Sequence, residues 1–535
     1  MSLAKSVAEI LRDRVTLEVE SIDRMYLNVY VPSLQTDFGA ASFFRYHRQR
    51  PFASGVLMSA MTRAFVASIE AFVRRQDVPL ITFNKGERKD DVTARYLAQF
   101  QDHEGVLYVG KAQEKATVFR TESRYHPGTG QSYPWLVRST AMVNNFYFYC
   151  VDQDFGPFFL KFCSYFPYNA KLCLNGHEYV KRQLAQRAIS FEALDNGFLS
   201  CAEPQRLQQI ADGLSAEKID ALLRKWLRRL PHPFTRRDRE AGFRYDISIL
   251  QAEFSLTQVL DSPLTGRVFF EEVIRENLDV GRADYVQLIF DRRINKTTPG
   301  RFRTRVITYG VIPSLHLDYK HSHIKQYHKQ GRALRTETTI NDTRDFRIGR
   351  RLKNLPLLRD IAFPANRRLL DVQRVSHDCA IGEQAFDRIT QPGIIQGQRV
   401  SGLHLDDHTA LAALNAVILV KLLPHGFTHK DLRQRFAQLL GLDPNQVSRG
   451  RMTYQLRRLR LHQIIRRIPK THRYTVTTSG LKAALFFTRL YARLIRPGLS
   501  AIMVARSAPD FPKLGTLDHL EAAFNQLIQE AKLAC

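Results

Sequence analysis

Residues 25–31 (MYLNVYV) and 80–83 are β-type runs rich in apolar residues, while residues 61–75 carry apolar positions at helical spacing. Strands interleaved with helices predict a mixed α/β domain over residues 1–200. Inside it, Phe146, Tyr147, Phe148, Tyr149, Phe155, Phe158, Phe159, Phe162, Tyr165, Phe166 and Tyr168 crowd together. Most are assigned to a core, with stacking of single-stranded bases as the alternative. Residues 201–240 turn helical, with Ser215 as N-cap and Glu217 favouring the helix dipole, and read as a connector. Strand candidates at 286–290, 302–308, 314–319 and 333–340, punctuated by Pro299-Gly300 and Pro313, predict a second α/β domain over 241–395.

In the last third, residues 407–423, 428–440 (Thr428 as N-cap) and 445–465 predict three helices. Residues 468–477 predict a two-stranded hairpin with a basic tip, and Ser479 starts a fourth helix. The expected fold is therefore α/β (mixed α+β) and multidomain, with a C-terminal winged-helix domain over 400–500 and a helical tail over 501–535.

Charge changes the picture. Lys and Arg number 79 against 52 Asp and Glu, a net charge of +27 in 535 residues. Such an excess points to a polyanionic partner and away from a small-molecule metabolic enzyme. Six cysteines without a CxxC pair predict neither a zinc ribbon nor a disulfide scaffold, hence a reduced, cytoplasmic protein. The N-terminus does not read as a signal peptide. Residues 411–423, the longest apolar run noted, are broken by Asn415 and Lys421 and fall short of the ~20 residues a bilayer requires, so no membrane partner is expected. No heptad pattern speaks to oligomeric state.

The stretch MTYQLRRLRLHQIIRRIPKTHRYTVTTSG resembles the winged-helix domains of bacterial regulators. The resemblance makes the third helix a recognition helix. Leu456, Leu459, Ile464 and Ile465 are expected inward, and Arg449, Arg451, Arg457, Arg458 and Arg460 outward. Residues 446–500 hold 13 Lys and Arg and no Asp or Glu. Arg449 and Arg451 are assigned to base edges; Arg457, Arg458, Arg460 and, on the wing, Lys470 and Arg473 to phosphates. DNA is the leading partner and RNA the alternative.

Three further constellations raise the possibility of chemistry. Lys85, Arg88 and Lys89 precede a helix and suit a phosphate, while Asp90 and Asp91 with Glu114 and Lys115 suggest a divalent-metal nuclease holding Mg²⁺ or Mn²⁺. A solvated charged turn is the favoured account of that segment. Tyr179, close to Lys181, has the residue types of a tyrosine strand-transferase. The central stretch with His316-Leu317-Asp318, Tyr327 and the Leu-Arg-x-Glu strand ending at Glu337 resembles rolling-circle replication initiators of phages and plasmids. That family holds a metal with a His-apolar-His pair; here Asp318 replaces the second His. His321, His323 and His328 could add ligands, although a histidine-rich basic strand edge is the favoured reading. KGERKDD, GKAQEK and GRALRTETTIN are together similar to a family of environmental bacterial proteins of this size, which implies no residue roles. The leading function is a nucleic-acid-binding protein. The alternatives are a phosphodiester-processing enzyme of a mobile element or plasmid and, more weakly, a ligand-sensing regulator.

Overall fold

The computed structural model describes residues 11, 13–84, 86–263, 265–266, 289–290, 299–309, 312–377, 383–395, 397–404, 407–420, 426–469 and 471–491. Its centre is an eleven-stranded sheet. The N-terminal strands are β1 (Val15–Tyr30), β2 (Leu80–Thr82), β3 (Gly105–His126), β4 (Gln131–Asp152), β5 (Gly156–Cys163) and β6 (Ala170–Asn175). A separate hairpin, β7 (Phe191–Leu194) and β8 (Gly197–Cys201), comes next. The second half of the sheet is β9 (Asp246–Leu260), β10 (Arg301–Tyr309), β11 (Ile312–Lys320), β12 (Ser322–Lys329) and β13 (Ala333–Ile340). The strand order is β10-β11-β12-β13-β9-β1-β6-β5-β4-β3-β2, antiparallel throughout except for β2 beside β3.

β1 pairs with β9 from Val15↔Leu260 to Tyr30↔Asp246. The chain segments before and after residues 201–240 therefore share one sheet. The register slips between Ile22 and Met25, and this bulge places Asp23 and Arg24 opposite Glu253.

One face of the sheet is apolar and covered. Helix α1 (Gly55–Gln76) packs Phe65 against Phe162 and Phe72 against Phe148. It is also long and apolar enough to cross a membrane, which the emphasis on residues 411–423 overlooked. Its buried Phe65, Ile69 and Phe72 belong to the sheet core. Further along the chain come α2 (Lys89–Gln99), α3 (Gly176–Gln186), α4 (Pro204–Asp212), α5 (Ala216–Leu227) and α6 (Arg236–Glu240). Ser215 caps α5 by accepting from the Lys218 N–H, as its sequence indicated. Helix α7 (Leu355–His377) covers the second half of the sheet. Its buried Asn366 accepts from the Thr338 hydroxyl at 2.6 Å and donates to the Phe254 carbonyl at 2.9 Å, and Gln373 pairs with Gln326. The aromatic block around β4 and β5 is mainly core, as expected: Phe148 and Phe162 are fully buried, whereas Tyr165 is exposed.

A second hydrophobic cluster lies in the C-terminal segment. It joins α8 (His408–Val420), α9 (His429–Leu439), α10 (Arg449–Leu461) and α11 (Thr478–Leu490) with a three-stranded sheet of β16 (Phe427–Thr428), β17 (Ile465–Arg467) and β18 (Arg473–Val476). A small hairpin, β14 (Gly393–Ile395) with β15 (Gln398–Val400), precedes them. Thr428 caps α9 in a capping box with Asp431. The third helix begins at Arg449 rather than at 445, because Ser448 supplies the N-cap.

Candidate functional site

The sheet face opposite α7 carries charge. Asp23 from the β1 bulge, Glu253 from β9 and Glu337 from β13 bring one carboxylate oxygen each within 4.8 Å of one another. Arg335, two residues before Glu337 and hence on the same face, is fully buried among them. Its guanidinium donates to Asp23 and to the Asn196 carbonyl, and its Nε lies 3.6 Å from Glu337. Tyr327 on β12, opposite Arg335, donates to Glu337 at 3.3 Å. Tyr327 and Glu337 are thus two sequence-nominated residues that the fold joins.

His177 enters from α3. Asn175 ends β6 and caps α3, accepting the His177 N–H at 2.8 Å. Gly176 is required between them: a Cβ there would sit 2.1 Å from the Ile22 carbonyl oxygen, beside Asp23. His177 Nε2 lies 2.7 Å from Arg335 Nη2. A guanidinium only donates, so Nε2 accepts, and in a neutral ring Nδ1 then carries the hydrogen. Burial first and Arg335 second hold His177 well below its usual pKa, so the ring is neutral. Its buried Nδ1 has no partner among the described residues. The β7–β8 turn closes over this cluster, with Asn196 donating to Asp23 and Lys181 tying down the Leu194 and Asp195 carbonyls.

The carboxylates differ in charge state. Burial pushes Asp23 up, but the Arg335 guanidinium and the Asn196 hydrogen bond outweigh it and leave its pKa at about 2. Burial and the adjacent Asp23 drive Glu337 up to about 7, and burial with Asp23 also raises Glu253. The acids outnumber the cation buried with them. Three carboxylate oxygens within 4.8 Å of one another are donors of the hard type that a divalent cation such as Mg²⁺ takes.

Along the same face, towards β3, run Lys171 on β6 and its register partner Lys161 on β5. Burial, reinforced by Lys161, lowers Lys171 to about 8, while its Nζ donates to Asn28 at 2.7 Å. Glu114 accepts from Lys89 at 2.8 Å and also from Lys161 and the Tyr147 hydroxyl. Despite partial burial, these donors pull Glu114 to about 2. Lys89 additionally lies 3.9 Å from the Tyr147 ring centroid.

The other nominated residues are placed as follows. Glu114 is tied to lysines, and Asp90 and Asp91 are exposed on the first turn of α2. Lys115 is exposed, as is Arg88 at the N-cap of α2. Asp90, Asp91 and Glu114 are not among the potential metal clusters of the described residues. Tyr179 is buried, packs on Phe155 and accepts from Lys218 at 2.8 Å. Lys181 pairs instead with Glu178. His316 lies 2.9 Å from the Ser314 hydroxyl, and Asp318 is buried on the same strand, β11. Lys85 and Lys470 lie outside the described residues.

In the C-terminal unit Leu456, Leu459, Ile464 and Ile465 are buried as expected. Arg449, Arg451 and Arg460 are exposed. Arg458 departs from the expectation of a phosphate-facing side chain. It is buried and donates to the Ser401 and Gly402 carbonyls with Asp407 at 3.5 Å, because its position on α10 turns it inward beside Leu459. Arg457 is half-buried against the β14–β15 hairpin, bonding Gln398 and the Arg399 carbonyl. Arg473 is exposed and donates to the Gly426 carbonyl at 2.9 Å.

Sequence reasoning missed Asp23, Glu253 and His177, and met Arg335 only as the Arg of the Leu-Arg-x-Glu strand, with no role assigned. A charged pair interrupting the apolar run of β1, Asp23-Arg24 between Ile22 and Met25, was the one available signal. No family model, curated protein or solved structure matches the chain.

Proposed function

We propose that this protein binds nucleic acid through its C-terminal helical unit, read as a winged helix, with DNA as the leading partner. The supporting observation is the exposure of Arg449, Arg451, Arg460, Arg466, Arg467 and Arg473 on α10 and the adjoining hairpin, within a stretch free of Asp and Glu. α10 supplies the reading helix and the β17–β18 hairpin the wing. Arg449 and Arg451, at the helix start, reach base edges; the remaining exposed arginines reach phosphates. This reading places the protein in the cytoplasm with no membrane partner.

About four phosphate contacts, from Arg460, Arg466, Arg467 and Arg473, give a slope of log K against log salt near −4, because Arg457 and Arg458 are engaged internally. Filter binding of the full chain to a duplex at several salt concentrations tests this. Salt-independent retention contradicts it.

A second reading, phosphodiester processing, is favoured by the Asp23–Glu253–Glu337 cluster together with Arg335 and the unpartnered His177 Nδ1. Asp23, Glu253 and Glu337 would hold Mg²⁺ or Mn²⁺, which would polarise a phosphoryl oxygen. Lys161 and Lys171 would align the strand along the face, and Tyr327 would orient Glu337. Cleavage of labelled single and double strands that requires the metal and is lost in Glu253→Gln supports this reading; metal-independent cleavage, or none, contradicts it.

A further inference from the structure

Helix α5 and the two residues after it present two parallel stripes of cations. Lys225 and Arg229 form one stripe and are neutralised by Glu104 and Asp152. Arg224 and Arg228, one residue earlier in each turn, form the other and face a different surface. There a cavity of about 290 Å³ opens between α5 and the segment that follows it. Arg239 and Arg244 line it from α6 and the turn after it, so four arginines line one small volume, and Arg224 among them is held by Asp220 and the Tyr245 carbonyl.

Acids do not balance them. Asp220 is bound to Arg224 at 2.9 Å. Asp238, the buried acid of α6, is held by Arg48, His47 and the Thr235 cap. Glu240 pairs with Arg236, which lies outside the cavity. Arg228 and Arg239 make no side-chain hydrogen bond or ion pair among the described residues, and Arg244 bonds only the Arg239 carbonyl. The excess is therefore about three positive charges around one opening, and like charges so close repel unless an anion enters.

The remaining wall is rigid. Tyr245 is buried, with its hydroxyl fixed on the Tyr168 carbonyl at 2.6 Å, and the His232 ring packs against it. Burial, together with Arg239, depresses His232 to about 4, so it lines the cavity as a neutral ring.

We propose that this cavity is a binding site for a phosphate monoester or diphosphate group, carried by a free nucleotide or by the 5′ end of a nucleic-acid strand. Planar guanidinium forks match phosphate oxygens bidentately, and three uncompensated arginines lining one opening recognise a compact multivalent anion better than a backbone phosphodiester of single charge.

Calorimetric titration of the full chain with inorganic pyrophosphate, and with an oligonucleotide bearing either a 5′-phosphate or a 5′-hydroxyl, tests the site. The expected results are measurable pyrophosphate binding, or at least tenfold tighter binding of the 5′-phosphorylated strand than of its 5′-hydroxyl counterpart. Each falls at least tenfold in Arg228→Gln/Arg239→Gln and, separately, in Arg244→Gln, whose side chain is exposed. Arg236→Gln/Arg237→Gln, outside the cavity, retains it. A phosphate preference confined to the strand identifies a strand end as the source; one confined to pyrophosphate identifies a small molecule. Absence of both, or equal binding in the cavity variants, overturns the proposal. The 5′-hydroxyl strand reports general nucleic-acid binding separately, so failure of the C-terminal reading is distinguishable.

Discussion

Arg335 and Asp23, 312 residues apart in the chain, form a buried ion pair across β13 and β1 with β9 between them. Arg335 is completely buried and Asp23 nearly so, so neither charge has water to fall back on. Removing one partner strands the other. Asp23→Ala is expected to cost ~3–5 kcal/mol in urea unfolding, and Asp23→Ala/Arg335→Met to recover part of that loss. A single variant as stable as the parent contradicts the pairing.

Glu337 gives stability a pH signature. Its folded pKa of about 7 lies above its ordinary value, so the folded state holds the proton more tightly than the unfolded chain. The contribution is fully present below about pH 4.5 and is lost as pH rises through 7. Glu337→Gln should flatten the decline in stability between pH 5 and 7.5. Asp23, at about 2, acts in the opposite sense and in a separate window, its contribution being lost as pH falls below 4. Thermal melts across pH 3–8 for parent and Glu337→Gln decide the matter; parallel curves would falsify the assignment.

How much of this was legible in the sequence depends on range. Ser215 and Thr428 caps, the β13 strand at 333–340 and the inward Leu456 and Leu459 follow from local spacing, and local spacing held. The pairing of β1 with β9 is not local. Nothing in residues 15–30 states that their partner lies at 246–260, so Asp23, Glu253 and Arg335 could not be seen to meet. Glu337 and Tyr327 were singled out through a resemblance whose Leu-Arg-x-Glu strand contains Arg335 but none of Asp23, Glu253 and His177. Arg458 was misplaced for a related reason: helical spacing gives its angle from Arg457, but not the β14–β15 hairpin and the following loop packed on that side.

Glu114 distinguishes a structural from a catalytic role. Glu114→Gln removes the negative charge facing its two lysines and replaces one of its two acceptor oxygens by an NH₂ donor, which should destabilise the protein by ~1–3 kcal/mol. If strand cleavage is observed, it should persist in the folded variant. A fully stable variant that has lost cleavage would move Glu114 into the reacting centre.

Arg458 and Arg460 should separate sharply. Arg458→Ala removes buried bonds to the 401–402 carbonyls and is expected to lower stability by ~2–4 kcal/mol. Arg460→Ala, on the exposed side, should leave the melt unchanged and flatten the salt slope by about one unit. Chemical denaturation and filter binding on the two variants read both quantities.

The central claim is that the start of α10 meets nucleic acid directly. Competition binding on a randomised duplex pool, comparing the parent chain with Arg449→Ala and Arg451→Ala at fixed salt, tests it most directly. The expected result is a defined preference in the parent that relaxes by ~1–3 kcal/mol at the affected positions in each variant while Arg473→Ala weakens all sequences alike. A preference unchanged in both variants, or no retention of duplex by the parent at low salt, contradicts the account.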